Sequence, residues 1–233
     1  MTVTIQQILF TAKTAEWHRL AGALGLTPPH EPTPAWGEFD GDGVLAVHHT
    51  NEEHVPGRVG IHLLVDDLDE VARAVSDFDA ARGTLEGLGE ILTVRAASGV
   101  AVTVSAGARA ARSGEVAVLP IWFQADLDEP RRILEALGLR PRIVSDRGGW
   151  VELVADGGGL VALHHGDEPR TGVSFLASGD LDALASRLRG AGLDAAVIDE
   201  SYARTIRVPD PDGGEEIWIN GIQEDLYGYT RVK

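Results

Sequence analysis

The chain has 233 residues, 44% of them apolar, and sets 36 acidic side chains against 20 basic ones for a formal charge of −16. That balance repels nucleic acid phosphates and argues against a DNA or RNA partner. No apolar run approaches the roughly 20 residues that a membrane helix needs, so no membrane partner is expected. With no cysteine there are no disulfides and no thiolate metal sites. The N-terminal MTVTIQQILF lacks a basic-then-apolar signal pattern, and a cytoplasmic protein is expected. The acidic surface either attracts a cationic ligand or serves solubility.

In chain order, the first helical segment is 16–28 (EWHRLAGALGLTP), and it returns at 129–141 (EPRRILEALGLRP). The copies share Glu, Arg, Ala, Leu, Gly, Leu and Pro at matching places. In the second copy Ile133, Leu134 and Leu137 fall on one face, Pro130 suits a first turn and Gly138 a left-handed stop. An alternating segment follows each helix. The first is 36–50 (WGEFDGDGVLAVHHT), the second 150–166 (WVELVADGGGLVALHHG). Both read as β-hairpins that keep a Trp, a Glu two residues on, a Gly-rich turn and a His-His end. The triple glycine at 157–159 reads as turn geometry rather than a phosphate loop.

A second repeat pairs 67–75 (DLDEVARAV) with 180–188 (DLDALASRL). Leu181, Leu184, Ala185 and Leu188 have helical spacing, and Asp67 and Asp180 suit N-caps. Strands are expected before these helices, at 60–65 and 172–177. They are expected after them at 89–94, 99–105, 195–199, 205–208 and 216–220. The turn at 210–213 (DPDG) marks a hairpin. The chain thus reads as four strand–helix–strand–strand–strand units starting near Val3, Val59, Val116 and Thr171. The small, basic segment 108–114 reads as a linker, with Arg109 and Arg112 as solvated charges.

Four βαβββ units with VDDLDE-like helix starts, W-x-E…LALHH hairpins and a DPDG turn resemble the vicinal oxygen chelate superfamily, the glyoxalase, bleomycin-resistance and extradiol-dioxygenase group. The resemblance implies an α+β fold of two glyoxalase-like domains, 1–107 and 115–233, each pairing two units around a cup of curved mixed sheet. It also implies either a monomer with an internal pseudo-dimer or a homodimer. Members of the family usually hold a divalent metal through His or Gln, Glu, His and Glu on the first and last strands of both units. The matching places here are Gln6 or Gln7, Ala46, Gly60 and 103–105 in the first half. In the second half they are Leu119, Ala162, Val173 and Ile217, with Glu216 one residue away on the opposite face. Most carry no donor, so no cofactor is expected. A metal, if bound, would use Gln6, His48 and His62.

Other candidates are weighed by chemistry. One histidine of each pair, His48 or His49 and His164 or His165, should face a cup. They then line a polar pocket or close a strand end. Trp122 and Trp150 are candidate ligand walls against the alternative of core packing. Glu38 and Glu152 could pair with a cation or act as bases, against the alternative of exposed strand carboxylates. The expected ligand-binding set is therefore His48, His62, His164, Trp122, Trp150, Glu38 and Glu152. No nucleotide loop, G-x-S-x-G elbow or cysteine nucleophile occurs. The leading reading is a glyoxalase/bleomycin-resistance-like protein that binds a small organic molecule in a β-sheet cup without the family's metal set, a cationic ligand suiting the acidic balance. The alternatives are a metal-dependent lyase, isomerase or dioxygenase, and a non-catalytic interaction module.

Overall fold

The computed structural model describes residues 1–50, 58–85, 88–109, 114–200, 203–223 and 225–232. The first half supplies β1 (Val3–Thr11), α1 (Thr14–Ala23), β2 (Trp36–Gly41), β3 (Gly43–His49), β4 (Arg58–Val65), α2 (Leu68–Ala74), β5 (Asp79–Leu85), β6 (Gly89–Arg95) and β7 (Ala101–Ala106). All seven strands join one mixed sheet in the order β2-β3-β1-β4-β7-β6-β5. The two units meet where β1 and β4 run antiparallel, from Val3 opposite Val65 to Leu9 opposite Val59.

The second half continues with β8 (Val116–Val118), β9 (Ile121–Gln124), α3 (Asp128–Ala136), β10 (Arg140–Ser145), β11 (Trp150–Val154), β12 (Leu160–His165), β13 (Arg170–Gly172) and β14 (Ser174–Ala177). Then come α4 (Leu181–Gly190), β15 (Ala196–Asp199), β16 (Arg204–Val208), β17 (Ile217–Gly221) and β18 (Tyr229–Arg231). Here the sheet is broken in two, β13-β9-β12-β11-β10-β18 and β15-β16-β17-β14-β8. The break falls at Leu119–Pro120, between β8 and β9, and at Val173, between β13 and β14. Pro120 has no N–H to give a ladder, and β1, its counterpart, carries no proline and runs unbroken.

A second local departure has the same cause. Three strands were expected after each helix, but α1 is followed by an isolated bridge, Thr27 to Asp40, and then β2 and β3. The segment 27–36 (TPPHEPTPAW) holds four prolines, which cannot donate to a ladder. The equivalent β10 has one, Pro141, and the register slips beside it, between Pro141 and Ile143.

The local signals otherwise hold. The Asp67 carboxylate caps α2 by accepting from Glu70 N at 2.8 Å, and Asp180 caps α4 by accepting from Asp182 N at 2.8 Å. Gly138 has φ +94°, the left-handed stop that α3 needs. Along β1 the odd residues Val3, Ile5 and Leu9 are fully buried in one cluster with Trp17 and Leu20 of α1. The even residues Thr4 and Gln6 face the other way, onto what we call the cup face.

That buried cluster runs through both halves. At the seam, the turn between β11 and β12 lies against β1: Gly157 N donates to Val3 O at 2.7 Å and Ile5 N to Gly158 O at 2.9 Å. A Cβ on Gly157 would stand 2.6 Å from Val3 O and from Thr4 Oγ1, so close approach requires glycine here, while the left-handed turn falls on Gly158 and Gly159. Asp42, in the matching turn of the first half, accepts from Gly159 N at 2.7 Å and Val118 N donates to its carbonyl at 2.9 Å. Among the described residues, no helix is long and apolar enough to cross a membrane.

Candidate functional site

Strand register sets the first cup. Asp40, Val44, Gln6, His62, Thr103 and Thr93 are successive cross-strand partners, so their side chains share one face. Gln6 Nε2 donates to Glu38 Oε1 at 2.8 Å. His62 is buried, with Nδ1 2.7 Å from Thr103 Oγ1 and Nε2 2.9 Å from Ser105 Oγ. Burial lowers its pKa to about 4, so the ring is neutral at pH 7 and donates through one nitrogen only. The two carboxylates of this cup meet a cation from an unexpected place. Arg109 Nη2 donates to Glu38 Oε2 at 2.5 Å and Nη1 donates to Asp40 Oδ1. Arg109 N also donates to Thr4 Oγ1 at 3.3 Å. The expectation of a solvated Arg109 is therefore corrected: the buried Asp40 and the half-buried Glu38 offer it more than water does. Arg112 lies outside the described residues.

His48 does not join Gln6 and His62. Its strand partner is Phe10, whereas Gln6 is opposite Val44, four residues earlier on β3 and so about 13 Å away along the strand. His48 is exposed at the rim, its ring centroid 5.6 Å from Trp36 and 5.4 Å from Phe10. The proposed ligand trio is not assembled. His49 is exposed on the next residue and Gln7 turns to the opposite face, where its Oε1 accepts from Ser174 N at 3.4 Å.

The second cup is open. Its cavity, about 330 Å³, has aromatic walls from Trp150, Trp218 and Tyr229 over a floor of Leu119 and Leu176. Polar groups cluster to one side. Glu152 is 4% exposed and takes a hydrogen bond from Arg142 Nε at 2.6 Å and another from Nη2. Burial raises the Glu152 pKa against the opposing pull of Arg142 and Arg231. His164 and His165 also line the space. His164 Nδ1 is 2.6 Å from the His165 carbonyl and His165 Nδ1 is 3.0 Å from the Ala125 carbonyl. A carbonyl only accepts, so both Nδ1 atoms donate and each Nε2 is an acceptor in the neutral ring. The rim repeats the first half: His164 stands 5.6 Å from Trp150 and 5.3 Å from Phe123.

Of the residues expected to bind ligand, Trp150, His164 and Glu152 therefore meet in one cavity. His62 and Glu38 belong to the other cup, and His48 to its rim. Trp122 is corrected: it is fully buried in the helix-side core, its Nε1 donating to Gln124 Oε1 at 3.2 Å. Its neighbours Ile121 and Phe123 take the cup face instead, a parity fixed by the pairing of Trp122 with Leu163. Sequence reasoning missed Arg109 and Arg142 at the cups; it left Trp218 open as a strand Trp that walls a cup or fills the core, and Tyr229 as a residue that could close over one, and both line the second cup. Alternation alone would have settled Trp218, two residues before Asn220 on β17. The register slip in β10 hides Arg142.

The strand order, the two cups and the repeated units make a fold like that of glyoxalases and extradiol dioxygenases. Solved structures agree. Catechol 2,3-dioxygenase is similar over 100% of this chain and 96% of that one, at 13% identity and TM-score 0.63. The Mn(II)-bound glyoxalase from Novosphingobium aromaticivorans is similar over 96% and 82%, at 15% identity and TM-score 0.63. Homoprotocatechuate 2,3-dioxygenase from Arthrobacter globiformis is similar over 97% and 80%, at 14% identity and TM-score 0.60. No protein-family model matches the sequence, and no curated protein is matched by it.

These neighbours correct the expectation of no cofactor. One of them is bound to Mn(II), so a divalent metal is the cofactor that the fold implies. The donors of this chain fit such an ion poorly as they stand. Gln6 and His62 are cross-strand partners, but both ring nitrogens of His62 are engaged by hydroxyls and its next partner in the row, Thr103, carries no carboxylate. Glu38 and Asp40 already hold Arg109. The described residues contain no group of three or more His, Cys, Asp or Glu side chains that could hold a metal.

Proposed function

We propose that the protein binds a small, flat organic molecule in the cup of residues 115–233, with 1–107 as a second glyoxalase-like domain and 108–114 joining the two. The observation that carries this is the contrast between the cups. The second has an open cavity of about 330 Å³ walled by Trp150, Trp218 and Tyr229, whereas the first is occupied by Arg109. Aromatic walls favour a planar ligand, and the two imidazole acceptors favour one with hydroxyl or N–H donors at its edge. Glu152 offers no free charge, because Arg142 neutralises it; a neutral or phenol-like ligand suits the cup better than a strongly cationic one. Chains joined as two halves suit a monomer with an internal pseudo-dimer.

The test is a thermal-shift screen of small aromatic molecules against the protein and its Trp150→Ala and His164→Ala variants. A ligand at a hundredfold excess over its Kd should raise Tm by about 5 °C or more. The gain should vanish in Trp150→Ala and shrink in His164→Ala. Hits that survive both substitutions would place binding elsewhere.

A second reading, a metal-dependent enzyme, draws on the Mn(II)-bound neighbour and on Gln6 beside His62. Elemental analysis after growth with added manganese and iron separates the readings. About one ion per chain, lost in His62→Ala, supports the enzyme. Less than about 0.1 per chain counts against it.

A further inference from the structure

We propose that the first cup is a recognition site for a singly substituted guanidinium, and that the chain fills it with its own Arg109. The site is built rather than incidental. The Asp40 side chain is 6% exposed and the Glu38 side chain 21%, and each carboxylate takes a different terminal nitrogen of the one guanidinium. Gln6 Nε2 fixes the other oxygen of Glu38 at 2.8 Å, which aims the carboxylate. Thr4 Oγ1 accepts from the Arg109 backbone, which anchors the arm the guanidinium hangs from. Beside the guanidinium lies a space of about 240 Å³ bounded by Thr4, Asp40, Val44 and Gly157, room for a substituent.

The duplicate gives independent support. The Glu that follows the Trp in the second hairpin, Glu152, also holds a guanidinium. Its partner is Arg142, on β10, a different element from the linker. In the first half the matching strand is lost to the prolines of 28–34, and the cation arrives instead from residue 109. Two halves thus keep the same acceptor and fill it with unrelated arginines. In both halves two N–H groups of one planar fork are taken by carboxylate oxygen, Glu38 Oε2 and Asp40 Oδ1 in the first and Glu152 Oε1 alone in the second, a pairing that suits guanidinium better than ammonium. This inference concerns the first cup and stands apart from the ligand proposed for the second.

Chemical rescue tests it. In Arg109→Ala the melting temperature should fall by about 4–10 °C. n-Butylguanidinium at millimolar concentration should restore a saturable part of that loss, n-butylammonium less than half as much. Neither should act this way on the unaltered protein, whose site is filled, or on the double variant with Asp40→Asn. An arginyl peptide in place of n-butylguanidinium tests whether a peptide side chain is accepted as readily as a free molecule. Rescue equal for both cations, or equal with and without Asp40, overturns the proposal, as does no rescue. Should Arg109→Ala not fold, Arg109→Gln keeps the bulk without the charge and takes the same titration. In the unaltered protein, the Arg109 side-chain N–H signals should be protected from exchange and should lose that protection in Glu38→Gln; signals that exchange freely also overturn it.

Discussion

At the residue scale, burial decides chemistry. His62 sits in a strand row with both nitrogens satisfied, and its pKa falls to about 4 from an ordinary 6.5 because the charged ring cannot be solvated there. The unfolded chain therefore takes up a proton near pH 6.5 that the folded chain refuses until about pH 4. The stability from this residue is complete above about pH 6.5 and is lost as pH falls toward 4, about 3 kcal/mol in all. Urea midpoints measured from pH 7.5 to 4.5 should show this slope, and His62→Gln should flatten it. An unchanged slope would mean the ring is charged or solvated. Glu152 makes a related case. Glu152→Gln leaves Arg142 charged with no carboxylate, and a loss of about 2 kcal/mol is expected in the same assay. Pairings such as these were only half legible in sequence. The Glu after each Trp was visible as a repeated polar residue, but its partner was not, because Arg109 lies some seventy positions away and Arg142 sits at a register slip.

At the scale of elements, turns and caps carry the information that the sequence displays best. Asp67 and Asp180 precede helical spacing and do cap their helices; Asp180→Ala should cost about 1 kcal/mol. The hairpins, read from alternation and glycine turns, fall where expected. Prolines explain the two departures, the missing strand after α1 and the interruption between β8 and β9. What alternation could not supply was the face of short strands. Trp122 lies on a strand of four residues, too short for its own pattern to fix parity against the paired β12. Gly157 shows the opposite limit, since its need for close approach to Val3 and Thr4 arises across the seam. Gly157→Ala should cost about 2–3 kcal/mol. Gly149→Ala, with nothing within 4 Å of the new Cβ, should change stability by less than about 0.5 kcal/mol. Equal effects of the two would show that the seam is looser than its hydrogen bonds indicate.

At the scale of the whole molecule, duplication produced two cups that are no longer alike. The buried cluster continues through both halves, and Asp42 and the 156–159 turn hook each onto the other's first strand. Calorimetry should therefore show one cooperative unfolding transition; two well-separated transitions would mean that the halves hold themselves together independently. The symmetry was plain in sequence because helices, hairpins and histidine pairs recur in order. Its breaking was not, because it depends on which side chain crosses from elsewhere to fill a cup.

That asymmetry is tested most directly by calorimetric titration of a small aromatic ligand found in the thermal-shift screen. The account predicts one site per chain, lost in Trp150→Ala and retained in Glu38→Gln. Two equivalent sites per chain, or binding lost in Glu38→Gln and kept in Trp150→Ala, would contradict it.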